Sequence, residues 1–166
     1  NLYLGTIEAS QDVQFIHDNG ISVIVNCTKD IKDTFSLNLL KPIEEAPKEV
    51  QEWLYNNSYY VKYYRIPIDD SGRPKDIEEF YNYAMPLLPI IKREYDSGKK
   101  ILIHCLAGVQ RSASFVVAFL MYCCNKRLDE TIEYVISRKP NVFFFGRNNN
   151  FIDALKKIEK ELYGSK

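Results

Sequence analysis

The sequence predicts an α/β fold in which a central, mostly parallel sheet carries helices on both faces. Two observations lead there. The runs at residues 21–26 and 101–104 are nearly continuous in apolar and β-branched residues, as strands covered on both faces are. Between and after them lie longer stretches whose apolar residues return every three or four positions, the helical period. Strands alternating with helices favour parallel pairing through right-handed crossovers.

Taken in order, residues 12–19 read as a helix with Gly20 just past its end, where a left-handed residue is wanted. His17 falls on its outer surface. The buried strand 21–26 follows, and Cys27 stands at its end. Residues 29–57 are the least legible, with two prolines and mixed charge. Within them 44–55, carrying Val50, Trp53 and Leu54, fits a short amphipathic helix, with Trp53 packing rather than binding. Residues 59–68 are aromatic and β-branched, as a strand should be. Asp69-Asp70-Ser71-Gly72 breaks that strand. Asp76 is placed to cap a helix through Ile77, Phe80, Tyr81, Ala84, Leu87 and Leu88 to about residue 95, and Pro86 and Pro89 predict a kink or break in it. Ser97-Gly98 ends that helix and Lys99-Lys100 leads into the strand 101–104. An apolar helix follows from about Ser112 to Cys124, on which Cys123 and Cys124 read as core thiols. The next helix starts at Leu128 with an Asp129 cap, runs to about Arg138 and is stopped by Pro140. After an apolar loop at 141–146, a last helix spans about 149–162 with Phe151, Ile152, Leu155 and Ile158 inward.

Composition bounds the function. A chain of 166 residues suits one domain, 1–166. Hydrophobic residues make up 46% and charged residues 27%, with zero net charge. That balance gives no footprint for nucleic acid or an acidic membrane. The longest apolar run, 115–124, is far too short to span a bilayer, and no signal pattern opens the chain. Cysteines 27, 105, 123 and 124 lack metal spacing, and two histidines leave little for zinc. Neither metal nor cofactor is expected.

The chemistry concentrates in Ile101-Leu-Ile-His104-Cys105-Leu106-Ala107-Gly108-Val109-Gln110-Arg111-Ser112. A cysteine ends a strand, and six residues later an arginine opens a helix. The intervening loop can point successive N–H groups inward as an anion nest. The helix N-terminus adds free N–H groups and a positive dipole end. That field favours the Cys105 thiolate. Arg111 offers a planar fork for two phosphate oxygens, and Gly108 permits a turn that a Cβ would obstruct. A nucleophile inside an anion cradle points to phosphoryl transfer to cysteine.

This stretch resembles the HCxxGxxR[S/T] signature of cysteine-dependent protein phosphatases, and its Ala-Gly and Arg-Ser-Ala-Ser steps resemble the dual-specificity branch. The resemblance implies a protein-tyrosine-phosphatase-like fold, with residues 1–5 as its short opening strand and turn. It makes Cys105 the nucleophile. The N–H groups of Leu106, Ala107, Gly108, Val109, Gln110 and Arg111, with the Arg111 guanidinium, would bind phosphate. Ser112 would hydrogen-bond the sulfur, besides serving as a helix N-cap. His104 would support the loop from behind or be a satisfied core histidine. Ile66-Pro67-Ile68-Asp69-Asp70 resembles the I-P-x-x-D element that carries the general acid. That register assigns Asp70, with Asp69 as the rival and a structural turn as the third reading. Asn148-Asn-Asn-Phe151-Ile-Asp-Ala154-Leu resembles the N-x-x-F-x-x-Q-L brace with Ala154 in place of glutamine, so Asn148 is structural. Phe145-Gly-Arg-Asn148 is most similar to the poxvirus members. In some relatives a cysteine near position 27 pairs reversibly with the nucleophile; otherwise Cys27 is core.

The implied activity is hydrolysis of phosphotyrosine and phosphoserine or phosphothreonine on a protein partner, in the cytoplasm or nucleus, or in host cytoplasm or a virion for a viral chain. An RNA 5′-triphosphatase and a non-catalytic phosphoprotein-binding module are the alternatives. The neutral charge weighs against the RNA substrate, the uncharged loop side chains against a phosphoinositide, and the presence together of nucleophile, arginine and candidate acid against a mere binding module.

Overall fold

The computed structural model describes residues 1–33, 48, 49, 52, 61–142 and 151–164. Among these, four strands, β1 (Leu2–Gly5), β2 (Ile21–Asn26), β3 (Lys62–Arg65) and β4 (Lys100–His104), form one sheet in the order β1-β4-β2-β3. Every pairing is parallel. The helices are α1 (Ile7–Gln11), α2 (Val13–Asp18), α3 (Pro74–Asp96), α4 (Arg111–Cys124), α5 (Leu128–Arg138) and α6 (Phe151–Tyr163).

The sheet separates two apolar clusters. Ile101 and Ile103 of β4 and Val23 and Val25 of β2 face the larger one, packed by Phe80, Ala84 and Leu88 of α3, Phe115 and Phe119 of α4, and Phe151 and Leu155 of α6. Leu102 and Ile24 face the other way, toward Ile16 of α2. Ile21 joins Ile24 there despite their odd spacing. A register irregularity between Ile21 and Val23 explains it: one extra residue flips the side chain before it. Helices on both faces, as expected, put the carboxyl ends of β2 and β4 side by side at one edge of the molecule.

Several boundaries differ from the sequence expectation. Helix α1 went unforeseen, although Thr6 caps it by accepting from the Ala9 N–H at 3.4 Å. The strand expected over 59–68 pairs as β3 across Lys62–Arg65, with Val61 bridged; residues 59 and 60 lie outside the described residues. Helix α3 begins at Pro74, so Asp76 sits in its first turn rather than at the cap. Its buried carboxylate instead accepts from the Ser71 N–H at 2.8 Å and from the Ser71 hydroxyl. The expected break at Pro86 and Pro89 does not occur: α3 runs unbroken through 23 residues. Both prolines are exposed, so carbonyls deprived of a helical partner on that side can turn to water. Phe80, Ala84, Leu87, Leu88 and Ile91 on the opposite side are buried.

Asp129 likewise lies inside the first turn of α5 and caps nothing; the Leu128 N–H donates to Glu159 of α6 at 2.6 Å. Of the two expected core thiols, Cys123 is half-buried and packs against the edge of the core, and Cys124 is exposed; their sulfurs lie 3.2 Å apart. The expected helix at 44–55, Trp53 and most of the 141–146 loop fall largely outside the described residues.

The Phe80 and Phe151 rings meet at 5.3 Å between centroids, joining α3 to α6 in the large core. Phe80→Ala should lower the unfolding free energy by about 3–5 kcal/mol in urea titration, the usual cost of emptying a phenylalanine site. A loss below about 1 kcal/mol would mean the two helices are not held through this pair.

Candidate active site

Strand β4 delivers Cys105 to the carboxyl edge of the sheet. Its side chain is 3% exposed. The loop turns back so that the Gly108 N–H donates to Cys105 Sγ at 3.3 Å. The Ser112 hydroxyl, in the first turn of α4, lies 3.1 Å from the same sulfur. Burial alone would push the thiol pKa up. The Ser112 hydroxyl and N–H, the Gly108 N–H and the Arg111 charge outweigh burial, and the thiol is held below its ordinary value. These groups all favour the charged form. Gln110, not Ser112 as expected, holds the N-cap position of α4, and no side chain caps the helix, which leaves its first N–H groups available to an anion.

The turn requires glycine at position 108. Its φ is +71°, and a Cβ there would sit 2.7 Å from the Gly5 carbonyl oxygen. The β1–α1 turn thus lies directly against the loop, and the Ile7 N–H donates to the Leu106 carbonyl at 3.0 Å. Leu106 and Ala107 are exposed, Gly108 is buried, and Val109, Gln110 and Arg111 are half-buried. His104 is 1% exposed, with Nδ1 3.2 Å from the Cys105 carbonyl oxygen. Burial holds its pKa below the usual value, so the neutral ring with Nδ1–H donating fits that contact.

Arg111 Nη1 donates to the Ile68 carbonyl at 3.1 Å. Its Nε is buried without a hydrogen-bond partner. A buried guanidinium donor left open is costly unless an acceptor arrives. Two residues past Ile68 stands Asp70. Burial raises its carboxyl pKa, Arg111 opposes the rise and Asp76 adds to it. Asp69 points elsewhere, with its carboxylate 3.8 Å from Lys29 Nζ in an exposed pair.

Sequence reasoning missed the supports around this edge. Asn26, buried at the end of β2, donates to the Ile31 carbonyl at 2.8 Å and accepts from the Thr28 hydroxyl at 2.6 Å. Arg65, at the end of β3, donates to the Thr28 and Ile31 carbonyls at 2.9 and 2.7 Å. A buried asparagine ending a strand was the available signal. Cys27 is fully buried, and its N–H donates to the His104 carbonyl at 2.8 Å. Burial, then the Cys105 charge, raise its thiol pKa. Asn148 and the 145–148 stretch lie outside the described residues. Among the described residues, no three His, Cys, Asp or Glu side chains gather as a metal site, and no helix is long and apolar enough to cross a membrane.

The chain is similar to known proteins. The chain is 29% identical to tyrosine-protein phosphatase vhp-1 of Caenorhabditis elegans over 98% of its own length and 20% of that protein's. It is 35% identical to dual specificity protein phosphatase 1-A of Xenopus laevis, over 72% of this chain and 31% of that one. The chain therefore spans a third or less of these two relatives. Among solved structures, human DUSP28 superposes with a TM-score of 0.71 at 20% identity, covering 97% of this chain and 92% of that one; the fold is the one the two proteins share. Residues 2–161 match the family described as dual specificity phosphatase, catalytic domain, and the chain belongs to that family.

Proposed function

We propose that the chain hydrolyses phosphate esters of tyrosine and of serine or threonine on proteins, through a cysteinyl-phosphate intermediate. The observation that carries this reading is the pairing of an acidified thiol, Cys105, with a buried, partnerless Arg111 Nε: a nucleophile beside an open oxyanion donor. The Cys105 thiolate attacks phosphorus. The loop N–H groups from Leu106 to Arg111 and the Arg111 guanidinium hold the equatorial oxygens as charge develops. Asp70, whose protonated form is favoured by the upward pKa shift, donates to the leaving oxygen. In the second step the ionised Asp70 takes a proton from water, which attacks the thiophosphate, and the Ser112 hydroxyl stabilises the departing sulfur. His104 fixes the Cys105 carbonyl from behind. The uncharged side chains of Leu106, Ala107, Val109 and Gln110 favour a phosphoprotein over a polyphosphorylated ligand. Turnover of a phosphopeptide panel beside triphosphorylated RNA tests the substrate class, and preference for the RNA would reverse it.

Cys105→Ser should abolish turnover yet keep phosphate binding, because a hydroxyl ionises far less readily than a thiol. Residual hydrolysis well above background would remove the covalent mechanism. Arg111→Lys keeps the charge but loses the fork. It should cut kcat by roughly 100-fold, the scale of losing one oxyanion donor, and near-native kinetics would place Arg111 outside the site.

The pH profile of kcat/KM should be a bell. Cys105 must be ionised, so its pKa sets the acidic limb, which the lowered thiol pKa moves toward acid. Asp70 must be protonated, so its raised pKa moves the alkaline limb upward. Asp70→Asn should cost about 100-fold or more with a high-pKa leaving group, much less with an activated aryl phosphate, and should flatten the alkaline limb. Asp69→Asn should do neither. The reverse pattern would transfer the acid to Asp69.

A further inference from the structure

We propose that Lys139 is a positioning residue for Cys105: its ammonium, lodged against Gly108 on the side of the loop that meets β1, stabilises the thiolate. The proposal rests on Cys105 being the working thiolate. Lys139 closes α5, and its backbone is fixed on both sides. Its N–H donates to the Val135 carbonyl at 2.9 Å, and its carbonyl accepts from the Val142 N–H at 3.1 Å. The half-buried side chain turns inward to the phosphate loop. Its Nζ stands 2.7 Å from the point a Gly108 Cβ would occupy, as close as the Gly5 carbonyl oxygen. Gly108 is thus flanked by an ammonium and a carbonyl oxygen, and its own N–H is bonded to Cys105 Sγ. One residue separates the ammonium from the sulfur.

A lysine placed there is partly stripped of water. Burial lowers its pKa, and the negative charge of Cys105 opposes that fall. Such coupling is reciprocal: whatever the thiolate contributes to the ammonium, the ammonium returns to the thiolate. The other groups facing the sulfur are Arg111 and Ser112 in α4 and Cys27 after β2; the His104 ring, whose pKa burial lowers, meets the Cys105 carbonyl at the end of β4, and Asp70 on the loop after β3 acts on Arg111. Arg111 is tied toward the Asp70 loop through Ile68, whereas Lys139 reaches the loop from α5. The two cations reach the thiolate from different elements.

The test is the pH dependence of Cys105 alkylation by iodoacetamide in the full chain, followed by mass spectrometry of the Cys105 peptide so that the other three cysteines do not contribute. Lys139→Met keeps length and removes charge. It should raise the alkylation midpoint by roughly half a pH unit or more, the scale of one charge acting through partly screened protein. Lys139→Arg should restore the native midpoint, and the acidic limb of kcat/KM should move in parallel. Lys139→Gln serves as a second neutral variant should the methionine form not fold. An unchanged midpoint in the neutral variants overturns the proposal. So does an equal shift in Lys139→Arg, which would make the effect one of packing rather than charge. Alkylation needs no turnover, so failure here is distinct from failure of the covalent mechanism, which the Cys105→Ser assay reads.

Discussion

The candidate active-site edge depends on one close approach. The Gly5 carbonyl oxygen stands where a side chain at position 108 would go, and the residue that yields the space also donates its N–H to the Cys105 sulfur. The contact joins the first strand of the chain to the loop after the fourth. It succeeds because β1 and β4 are direct neighbours in parallel register, with Gly5 opposite His104. The sheet order therefore sets the loop's curvature, and the loop's curvature sets the thiol's acidity.

The site separates two acids by environment. Cys105 is more buried than Asp70, and burial alone would leave it a neutral thiol. Hydrogen bonds from Ser112 and Gly108 and the Arg111 charge outweigh burial and bring its pKa below the ordinary value. Asp70 feels the same arginine, but burial and the Asp76 carboxylate outweigh it, and its pKa moves the other way. Environment thus shifts the proposed nucleophile and the proposed acid in opposite directions.

Much of this was legible in the sequence, and the gaps have physical causes. Strands β2 and β4 and helices α4 and α5 could be read within a residue or so, because apolar runs and helical periods are local signals. The caps were harder. Asp76 and Asp129 look like caps, yet Asp76 binds Ser71 across a turn, and the N–H at the start of α5 goes to Glu159 on another helix. Such partners are set by tertiary packing and leave no local mark. Pro86 and Pro89 suggested a break because propensity ignores which side of the helix faces water. The signature loop was recognisable residue by residue, but the turn that braces it, Gly5 to Ile7, lies a hundred residues away in the chain.

The loop bearing Asp70 is pinned at both ends: Ile68 by Arg111 and Ser71 by the buried Asp76 carboxylate. Asp69 and Asp70 are the span left between two anchors, too short to swing as a flap. A small molecule made to reach Asp70 therefore meets a loop already held at both ends. It must match that loop as it stands, and on this side rigidity built into the ligand should count for more than reach.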